Sequence, residues 1–359
     1  MIKEIVKCMV SKIGYFVPYK SKFDADESRK ILQDYSPRPI GSCYTTNNVN
    51  IEYDLQIIIP AYNVEKYIMQ CIKSVFSQKS KYKTLVTVVN DGSTDSTGLI
   101  LKNIFSEISS GEQQMNLNII NQSNKGVSGS RNAALKNIKA KYIMFLDSDD
   151  VLPENTITKM MNCAVKTNAD IVQGSWFDFS NSSKEEHIVE DNSRKISGYP
   201  WGKLYKYTVL EHFQFPDGYW FEDTPISFIL AAMPLNIVSI KDMVYGYRLN
   251  LEGITSKAVK SKKSVDSYWI TEQCLEEFPK FNLEYNQRAY EYLLNQSLMN
   301  AGRTRYQSEM VNEAQFVLMS CLIEKYFPQY YTSNRKMLLV EKALKNRSYR
   351  QFKFFIRAF

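Results

Sequence analysis

Three acidic side chains follow one of the most apolar runs of the chain, in the stretch YIMFLDSDDVLP at 142–153. Asp147 and Asp149 alternate past the end of a predicted buried strand, so both carboxylates can face one ligand. Asp150 lies beside Asp149, and unpaired carboxylates this close repel one another. A divalent cation such as Mg²⁺ or Mn²⁺ relieves that repulsion and bridges to phosphate oxygens. An acidic cap for the next helix would account for the same residues.

A second acidic pair occurs in GYWFEDTPISFIL at 218–230. Glu222 and Asp223 follow an aromatic cluster, and Thr-Pro after them marks the start of a helix. A carboxylate held beside an apolar wall can act as a general base that takes a proton from a hydroxyl. Helix capping is the alternative, because carboxylates favour helix N-termini.

Two more junctions combine polar residues with glycine. In VVNDGSTDSTG at 88–98, Asp91 follows a predicted strand and can accept an N–H from a ligand base; an Asx turn is the alternative. In NKGVSGSRNAAL at 124–135, glycines precede Arg131 at a helix start, which suits a diphosphate. The spacing is neither GxGxxG nor that of a P-loop, which excludes those two nucleotide motifs.

Strand and helix patterns alternate around these junctions. Short β-branched runs predict strands, and amphipathic runs between them predict helices. The order predicts an α/β fold with a mostly parallel sheet, whose ligands lie beyond the carboxyl ends of the strands. The polar stretch 180–198 predicts a mobile loop. We predict strands at 55–60, 84–89, 117–120, 142–147 and 169–177, and helices at 64–78, 97–108, 130–139, 154–167, 268–278, 285–299 and 310–327.

Length and composition limit the function classes. The 359 residues suffice for an N-terminal amphipathic helix and linker (1–50), an α/β domain (51–260) and a helical C-terminal region (261–359). The net charge of +7 suits an anionic ligand or a membrane surface and does not by itself indicate nucleic acid. Two histidines exclude a histidine-based zinc site and Ser-His-Asp chemistry.

Other features concern the cell compartment. The six cysteines form no CxxC pair, which is typical of free thiols in a reducing cytoplasm. No apolar run is long enough to cross a membrane, and no signal-peptide pattern precedes the domain. We therefore expect a cytoplasmic protein.

Both ends of the chain are basic and amphipathic. Residues 1–22 have helical apolar spacing with interleaved lysines, and in 335–359 Phe352, Phe355, Ile356 and Phe359 share a face. Two interpretations stay open. The ends bind the anionic inner leaflet, which would bring the protein to a lipid-linked substrate, or their apolar faces pack within the protein or between subunits of a homo-oligomer.

Six motifs occur together and in a fixed order: IIIPAYNVEKYI, VNDGSTDST, NKGVSGSRN, FLDSDD, WGKLYKY (201–207) and FEDTP. In combination they resemble the family 2 glycosyltransferases, which have the GT-A fold, over about 55–250. The resemblance implies an enzyme that holds a nucleotide-sugar at the junctions described above. It implies that Pro60, Ala61, Tyr62 and Glu65 line the nucleotide pocket, that Asp91 accepts the uracil N–H and that Asp147 contacts the nucleotide. Arg131 would lie near the diphosphate, Asp149 would bind the metal and Asp223 would be the catalytic base. The sugar and acceptor site would be formed by Trp201, Lys203, Tyr205 and Glu222.

The resemblance also implies a reaction. A Mn²⁺- or Mg²⁺-dependent, inverting transfer would move a hexose or N-acetylhexosamine from a UDP-sugar to a hydroxyl of a growing surface glycan. Capsular polysaccharide or exopolysaccharide on a lipid carrier is the expected acceptor, with teichoic acid or a protein as alternatives.

The sequence departs from the family pattern at two places. Asn90 stands where many members have a second aspartate, and EGITSK (252–257) replaces a Ser-Ile-Thr-like stretch. Near the latter, Arg248 or Lys257 would contact the diphosphate. A sugar nucleotidyltransferase would need a glycine-rich basic loop that PAYNVEKY lacks, whereas a non-catalytic GT-A-like scaffold remains a second hypothesis.

Overall fold

A computed structural model describes residues 20–108, 115–180, 182–190, 196–250 and 260–356. The predicted helix at 1–22 lies outside this part of the chain except for its last residues, and EGITSK with Lys257 lies outside it entirely. The described residues form two compact units. We call them the sheet unit (40–218 and 222–250) and the helical unit (20–39, 219–221 and 260–356).

Eight strands form one sheet in the sheet unit. Their order is β3-β2-β1-β4-β7-β5-β6, and β8 also pairs with β5. The strands β3, β2, β1 and β4 are mutually parallel, as are β5 and β8, whereas β7 and β6 pair antiparallel with their neighbours. The strands are β1 Asn48–Ala61, β2 Thr84–Asn90, β3 Met115–Asn121, β4 Asn137–Phe145, β5 Ile171–Phe179, β6 Lys184–His187, β7 Lys203–Lys206 and β8 Ile237–Arg248.

Helices connect the strands of the sheet unit and make up most of the helical unit. The helices of the sheet unit are α2 Ile68–Phe76, α3 Thr97–Ile108, α4 Gly126–Leu135, α5 Thr156–Thr167, α6 Tyr207–Leu210 and α7 Thr224–Phe228. Those of the helical unit are α1 Ala25–Tyr35, α8 Asp266–Glu277, α9 Gln287–Arg303, α10 Glu309–Tyr326, α11 Leu338–Lys345 and α12 Tyr349–Ile356.

The parallel sheet forms because β1 is apolar on both faces near its end. Residues Leu55–Ala61 are all buried. Leu55, Ile57 and Ile59 belong to the same core cluster as Ile68 and Cys71 of α2. Strand side chains alternate between faces, so these three residues share one face and anchor α2 there. This packing fixes the residues after Ala61 at the carboxyl edge of the sheet.

All five predicted strands and the predicted helices are confirmed, with corrections at two places. The helix expected at 130–139 ends at Leu135, and β4 begins at Asn137, because the apolar residues from Ile138 onward alternate as in a strand. The loop expected at 180–198 contains β6, which pairs with the end of β5. The antiparallel insertion of β7 between β4 and β5 was not predicted.

The apolar stripe near the C-terminus packs inside the helical unit. Phe352 and Phe355 of α12 are buried, and the Phe352 ring lies 4.9 Å from that of Phe316 on α10. This contact supports the packing interpretation for these two residues; Phe359 lies outside the described part of the chain. No helix among the residues that the structure describes is long and apolar enough to cross a membrane.

Candidate active site

The acidic turn after β4 is clamped to the end of β8. Tyr245 Oη donates to Asp150 Oδ2 (2.6 Å) and accepts the backbone N–H of Asp147 (3.1 Å). The Arg248 N–H donates to Asp150 Oδ1 (2.7 Å), and Val151 and Gly246 exchange backbone hydrogen bonds. Asp150 is 1% exposed. Burial, followed by the charges of Asp147 and Asp149, raises its pKa well above the usual range. Asp150 therefore anchors the turn.

We expect Tyr245→Phe to lower turnover about tenfold, because the lost hydroxyl leaves a buried carboxylate and an amide without their partner. The matched control is Tyr142→Phe, which removes a buried hydroxyl that donates to the carbonyls of Ala164 and Ala169. Both variants should lose about 1–3 kcal/mol of stability. Steady-state kinetics and urea unfolding compare the two; equal turnover in both would contradict a role of Tyr245 in holding the turn.

Arg131 connects the acidic turn to the second acidic pair. Its guanidinium, 3% exposed, donates to Asp147 Oδ1 and to Glu222 Oε1, each at 2.9 Å. It also lies over the Phe215 ring, 5.0 Å from its centroid. Burial alone would lower the pKa of Arg131, but the two carboxylates outweigh burial and raise it. The sequence predicted a contact with a diphosphate; in this structure the cation is enclosed and holds two carboxylates in place.

Glu222 and Asp223 lie at the start of α7. Burial raises the pKa of Glu222 to about 7, Arg131 opposes that shift, and Asp223 adds to it. Asp223 occupies the N-cap position, but its side chain makes no capping hydrogen bond. The capping interpretation therefore does not explain the Asp223 carboxylate, which is half-buried.

Asp149 is the second carboxylate of the acidic turn that could contact a ligand. Its Oδ2 accepts from Asn250 (3.2 Å), and its backbone carbonyl accepts from Arg248 Nε (2.6 Å). Burial and then the charge of Asp147 raise the pKa of Asp149. The guanidinium of Arg248 is itself held by Gln70 Oε1 (2.7 Å) and lies over the rings of Tyr67 and Phe179.

The donor set of this turn fits a hard cation. The part of the chain that the structure describes contains no group of three or more His, Cys, Asp or Glu side chains that could hold a metal ion. However, Mg²⁺ and similar ions at phosphate sites use only one or two carboxylates and complete their shell with water and phosphate oxygens. The crowding of Asp147 and Asp149 is the strain that such an ion relieves.

The loops after β1 and β2 are locked together. Asn63 has a positive φ of 50° and accepts the N–H of Thr94 (2.8 Å), and Glu65 Oε2 accepts the N–H of Ser96 (2.8 Å). Tyr62, which follows the end of β1 and precedes Asn63, is 47% exposed, whereas Pro60 and Ala61 are buried. Of the four residues predicted to line a nucleotide pocket, Tyr62 therefore offers an open ring and Glu65 joins the two loops.

Asp91 is more enclosed than the sequence suggested. It is 1% exposed, and its oxygens accept from Gln122 Nε2 (2.7 Å) and from the N–H groups of Lys125 and Gly126 (2.8 Å each). A carboxylate has about four acceptor positions, and these three contacts use all but one of them. Asn90 Nδ2 donates to Asn121 Oδ1 (3.0 Å), and Asn90 Oδ1 accepts the Ser93 N–H (3.2 Å).

The WGKLYKY motif lies beneath the surface. Lys203 is 1% exposed, and its Nζ donates to Ser197 Oγ (2.6 Å) and to the Tyr199 carbonyl (2.6 Å). Tyr205 is fully buried and donates to the Pro200 carbonyl (3.0 Å). Both are predicted to shape the sugar and acceptor site, and in the structure their polar atoms hold the loop 197–201. Trp201, expected to do the same, is 6% exposed and stacked between other rings.

The burial of Lys203 predicts a pH dependence of stability. Burial lowers the pKa of Lys203 to about 7, against the opposing charge of Asp223. Between pH 7 and 10 the unfolded chain binds a proton there that the folded chain lacks, so stability rises with pH, by up to about 1.4 kcal/mol per unit. Lys203→Met should remove this slope, and Lys206→Met on the same strand should keep it. Urea unfolding at pH 7.5 and 9 measures the change in the free energy of unfolding with pH for both variants. An equal change in Lys203→Met and Lys206→Met would contradict the lowered pKa of Lys203.

Sequence reasoning missed three members of this site. They are Tyr245, Gln122 and the anchoring role of Asp150, whose partners lie 31 to 98 positions away in the chain. Gln122 had a usable signal, since it directly follows β3 at the same edge as Asp91. Tyr245 had none, because an apolar strand containing tyrosine is compatible with ordinary packing.

Comparisons with known proteins agree with this architecture. Residues 56–221 match the family model "Glycosyl transferase family 2". The structure of S. aureus TarS 1–349 in complex with UDP-GlcNAc superposes with a TM-score of 0.64 and 20% identity, covering 84% of this chain and 89% of that one. This likeness establishes the GT-A fold.

Two curated relatives bear on the chemistry. Glycosyltransferase GlyA of Streptococcus pneumoniae is 27% identical over 80% of this chain, which spans 44% of the length of GlyA. The "UDP-Glc:alpha-D-GlcNAc-diphosphoundecaprenol beta-1,3-glucosyltransferase WfgD" of Escherichia coli is 32% identical over 37% of this chain and 49% of WfgD. The domain is thus related to bacterial glycosyltransferases.

Proposed function

We propose that this chain is a metal-dependent, inverting glycosyltransferase that moves a hexose or N-acetylhexosamine from a UDP-sugar to a hydroxyl group. One observation carries the proposal. Arg131 links Asp147, in the turn beyond β4 that also carries Asp149, to Glu222, the neighbour of Asp223. A site for a diphosphate and a site for a base thereby occupy the same edge of the sheet.

The donor follows from the locked loops after β1 and β2. The exposed ring of Tyr62 offers a surface for a nucleobase, and the remaining acceptor position of Asp91 suits an imino N–H such as that of uracil. The UDP-sugar in the TarS complex and in the name of WfgD supports the same choice of nucleotide.

The reaction is a single displacement. The acceptor oxygen forms a bond to the anomeric carbon while the bond from that carbon to the diphosphate oxygen breaks, and UDP leaves with the electron pair. Asp223 takes the hydroxyl proton. Attack from the face opposite to the diphosphate inverts the anomeric configuration.

Asp147 and Asp149 would hold a divalent cation, Mn²⁺ or Mg²⁺. When bound, the cation supplies positive charge beside the departing diphosphate. Arg131 keeps Asp147 in place, and the Tyr245–Asp150 contact keeps the turn in place. Arg248 fixes the turn through the Asp149 carbonyl.

The acceptor is a growing surface glycan, as the diphosphoundecaprenol in the name of WfgD suggests for a lipid-linked chain. Such an acceptor places the enzyme in the cytoplasm at the inner face of the plasma membrane. The net charge of +7 is compatible with that surface. Teichoic acid and protein acceptors are the alternatives.

The test combines a panel of UDP-sugars with Mn²⁺ and analyses the product by mass spectrometry and NMR. We expect one donor to give a glycoside whose anomeric configuration is opposite to that of the donor. A product with retained configuration would contradict the role of Asp223. UDP binding without turnover for any donor and acceptor would favour a GT-A-like scaffold instead.

A further inference from the structure

Several aromatic rings of the sheet unit stack into a column. Tyr199, Trp201 and Tyr245 stack with centroids 4.5 Å apart at each step and with interplanar angles of 7° and 12°. Trp176 contacts this column edge-on, 6.1 Å from Tyr199 and 5.7 Å from Trp201. His187 stacks on the Trp176 ring at 4.9 Å.

The two ends of the column have different surroundings. At one end, the Tyr245 hydroxyl holds the Asp147 amide and the Asp150 carboxylate. At the other end, Tyr199 is 45% exposed. Trp201 covers one face of the Tyr199 ring, so the exposed area belongs to its opposite face and its edge. An open aromatic face therefore lies two stacking steps from the residue that positions the acidic turn.

The column is held by buried polar groups. Lys203 donates to Ser197 Oγ and to the carbonyls of Tyr199 and Trp201, and Tyr205 donates to the Pro200 carbonyl. A buried lysine is costly unless its donors are used. The three acceptors of Lys203 belong to one loop, 197–201, and this loop carries the exposed ring. Ordinary core packing does not require an open ring to be fixed in this way.

We propose that the exposed face of Tyr199, with Trp176 at its side, is a platform for a pyranose ring of the acceptor glycan. The inference rests on the proposed function and narrows its acceptor class. A pyranose chair presents an apolar face of C–H groups that matches an aromatic ring, and aromatic side chains contribute much of the contact energy at interfaces. An open-chain polyol, as in a ribitol or glycerol phosphate backbone, has no such face. Lys203 is a positioning residue for this platform.

The first experiment compares acceptor probes with the preferred UDP-sugar. Methyl pyranosides of glucose, galactose and N-acetylglucosamine should accelerate UDP release above the acceptor-free rate. Ribitol and glycerol should leave that rate unchanged. Acceleration by the open-chain polyols, or by neither class, would overturn the platform. UDP release without acceptor tests the proposed function separately, so the two failures are distinguishable.

The second experiment uses variants of the exposed ring. Tyr199→Ala should raise the KM for the methyl pyranoside about 5- to 10-fold, while the affinity for UDP, measured by calorimetry, stays at the wild-type value. Tyr199→Phe should restore the KM, because it keeps the ring. The matched control is Tyr306→Ala, which removes a 60% exposed tyrosine of the helical unit. A wild-type KM in Tyr199→Ala would overturn the inference.

Discussion

Asp223→Asn should abolish sugar transfer while leaving UDP binding nearly intact. The substitution keeps the size of the side chain and one acceptor oxygen but removes the carboxylate that accepts the hydroxyl proton. Loss of a general base typically costs about 100- to 10,000-fold in rate. We expect kcat to fall about a thousandfold, measured as UDP release in the presence of acceptor.

Two controls make that result specific. Asp242→Asn removes an exposed carboxylate of the same unit, which pairs with Lys159 at 2.9 Å, and should leave kcat unchanged. Glu222→Gln tests the neighbouring carboxylate, which is bonded to Arg131 and should affect stability more than the proton transfer. Lost UDP binding in Asp223→Asn, or wild-type kcat, would remove Asp223 from the role of base.

Asp149→Asn should remove the dependence of nucleotide binding on the divalent cation. In the wild type, Mn²⁺ should strengthen UDP binding because the cation joins the two carboxylates to the diphosphate. An amide is a weaker ligand for a hard cation than a carboxylate. Substitution of a residue that only supports a metal ligand typically costs about 10- to 100-fold in metal affinity. We expect Asp149→Asn to reduce the Mn²⁺-dependent gain in UDP affinity by a larger factor.

Calorimetric titration of UDP with and without Mn²⁺ measures this effect. The comparison variant is Asp147→Asn, which also breaks the contact with Arg131 and should lower both cation dependence and thermal stability. If Asp149→Asn binds UDP with full Mn²⁺ enhancement, the cation lies elsewhere. If the wild type shows no enhancement by Mn²⁺ or Mg²⁺, the metal assignment fails as a whole.

The parallel half of the fold could be predicted because its strands are short, apolar and separated by amphipathic helices. Ile57 and Ile59, for example, are buried on the same face as expected from a period of two. Strand β7 could not be predicted, because four residues carry no periodicity and its place between β4 and β5 depends on pairing across 60 residues.

The candidate site was predictable in location but not in detail. The position of Asp147 and Asp149 followed from the rule that ligands lie beyond the carboxyl ends of parallel strands. The sequence could not distinguish Asp149 from Asp150, because the burial of Asp150 comes from β8, about a hundred positions later. Lys203 was predicted to shape the sugar and acceptor site. Its burial had no signal in the sequence because lysine seldom lies in a core, and only the folded loop shows three acceptors around its Nζ.

UDP release from a panel of UDP-sugars should be measured with Mn²⁺ and again with EDTA. We expect turnover of one UDP-sugar that EDTA abolishes and Mn²⁺ restores. GDP-sugars and dTDP-sugars should give none. Turnover that EDTA does not affect, or a preference for another nucleotide, would contradict the assignment of Asp147 and Asp149 to a cation-bound UDP-sugar.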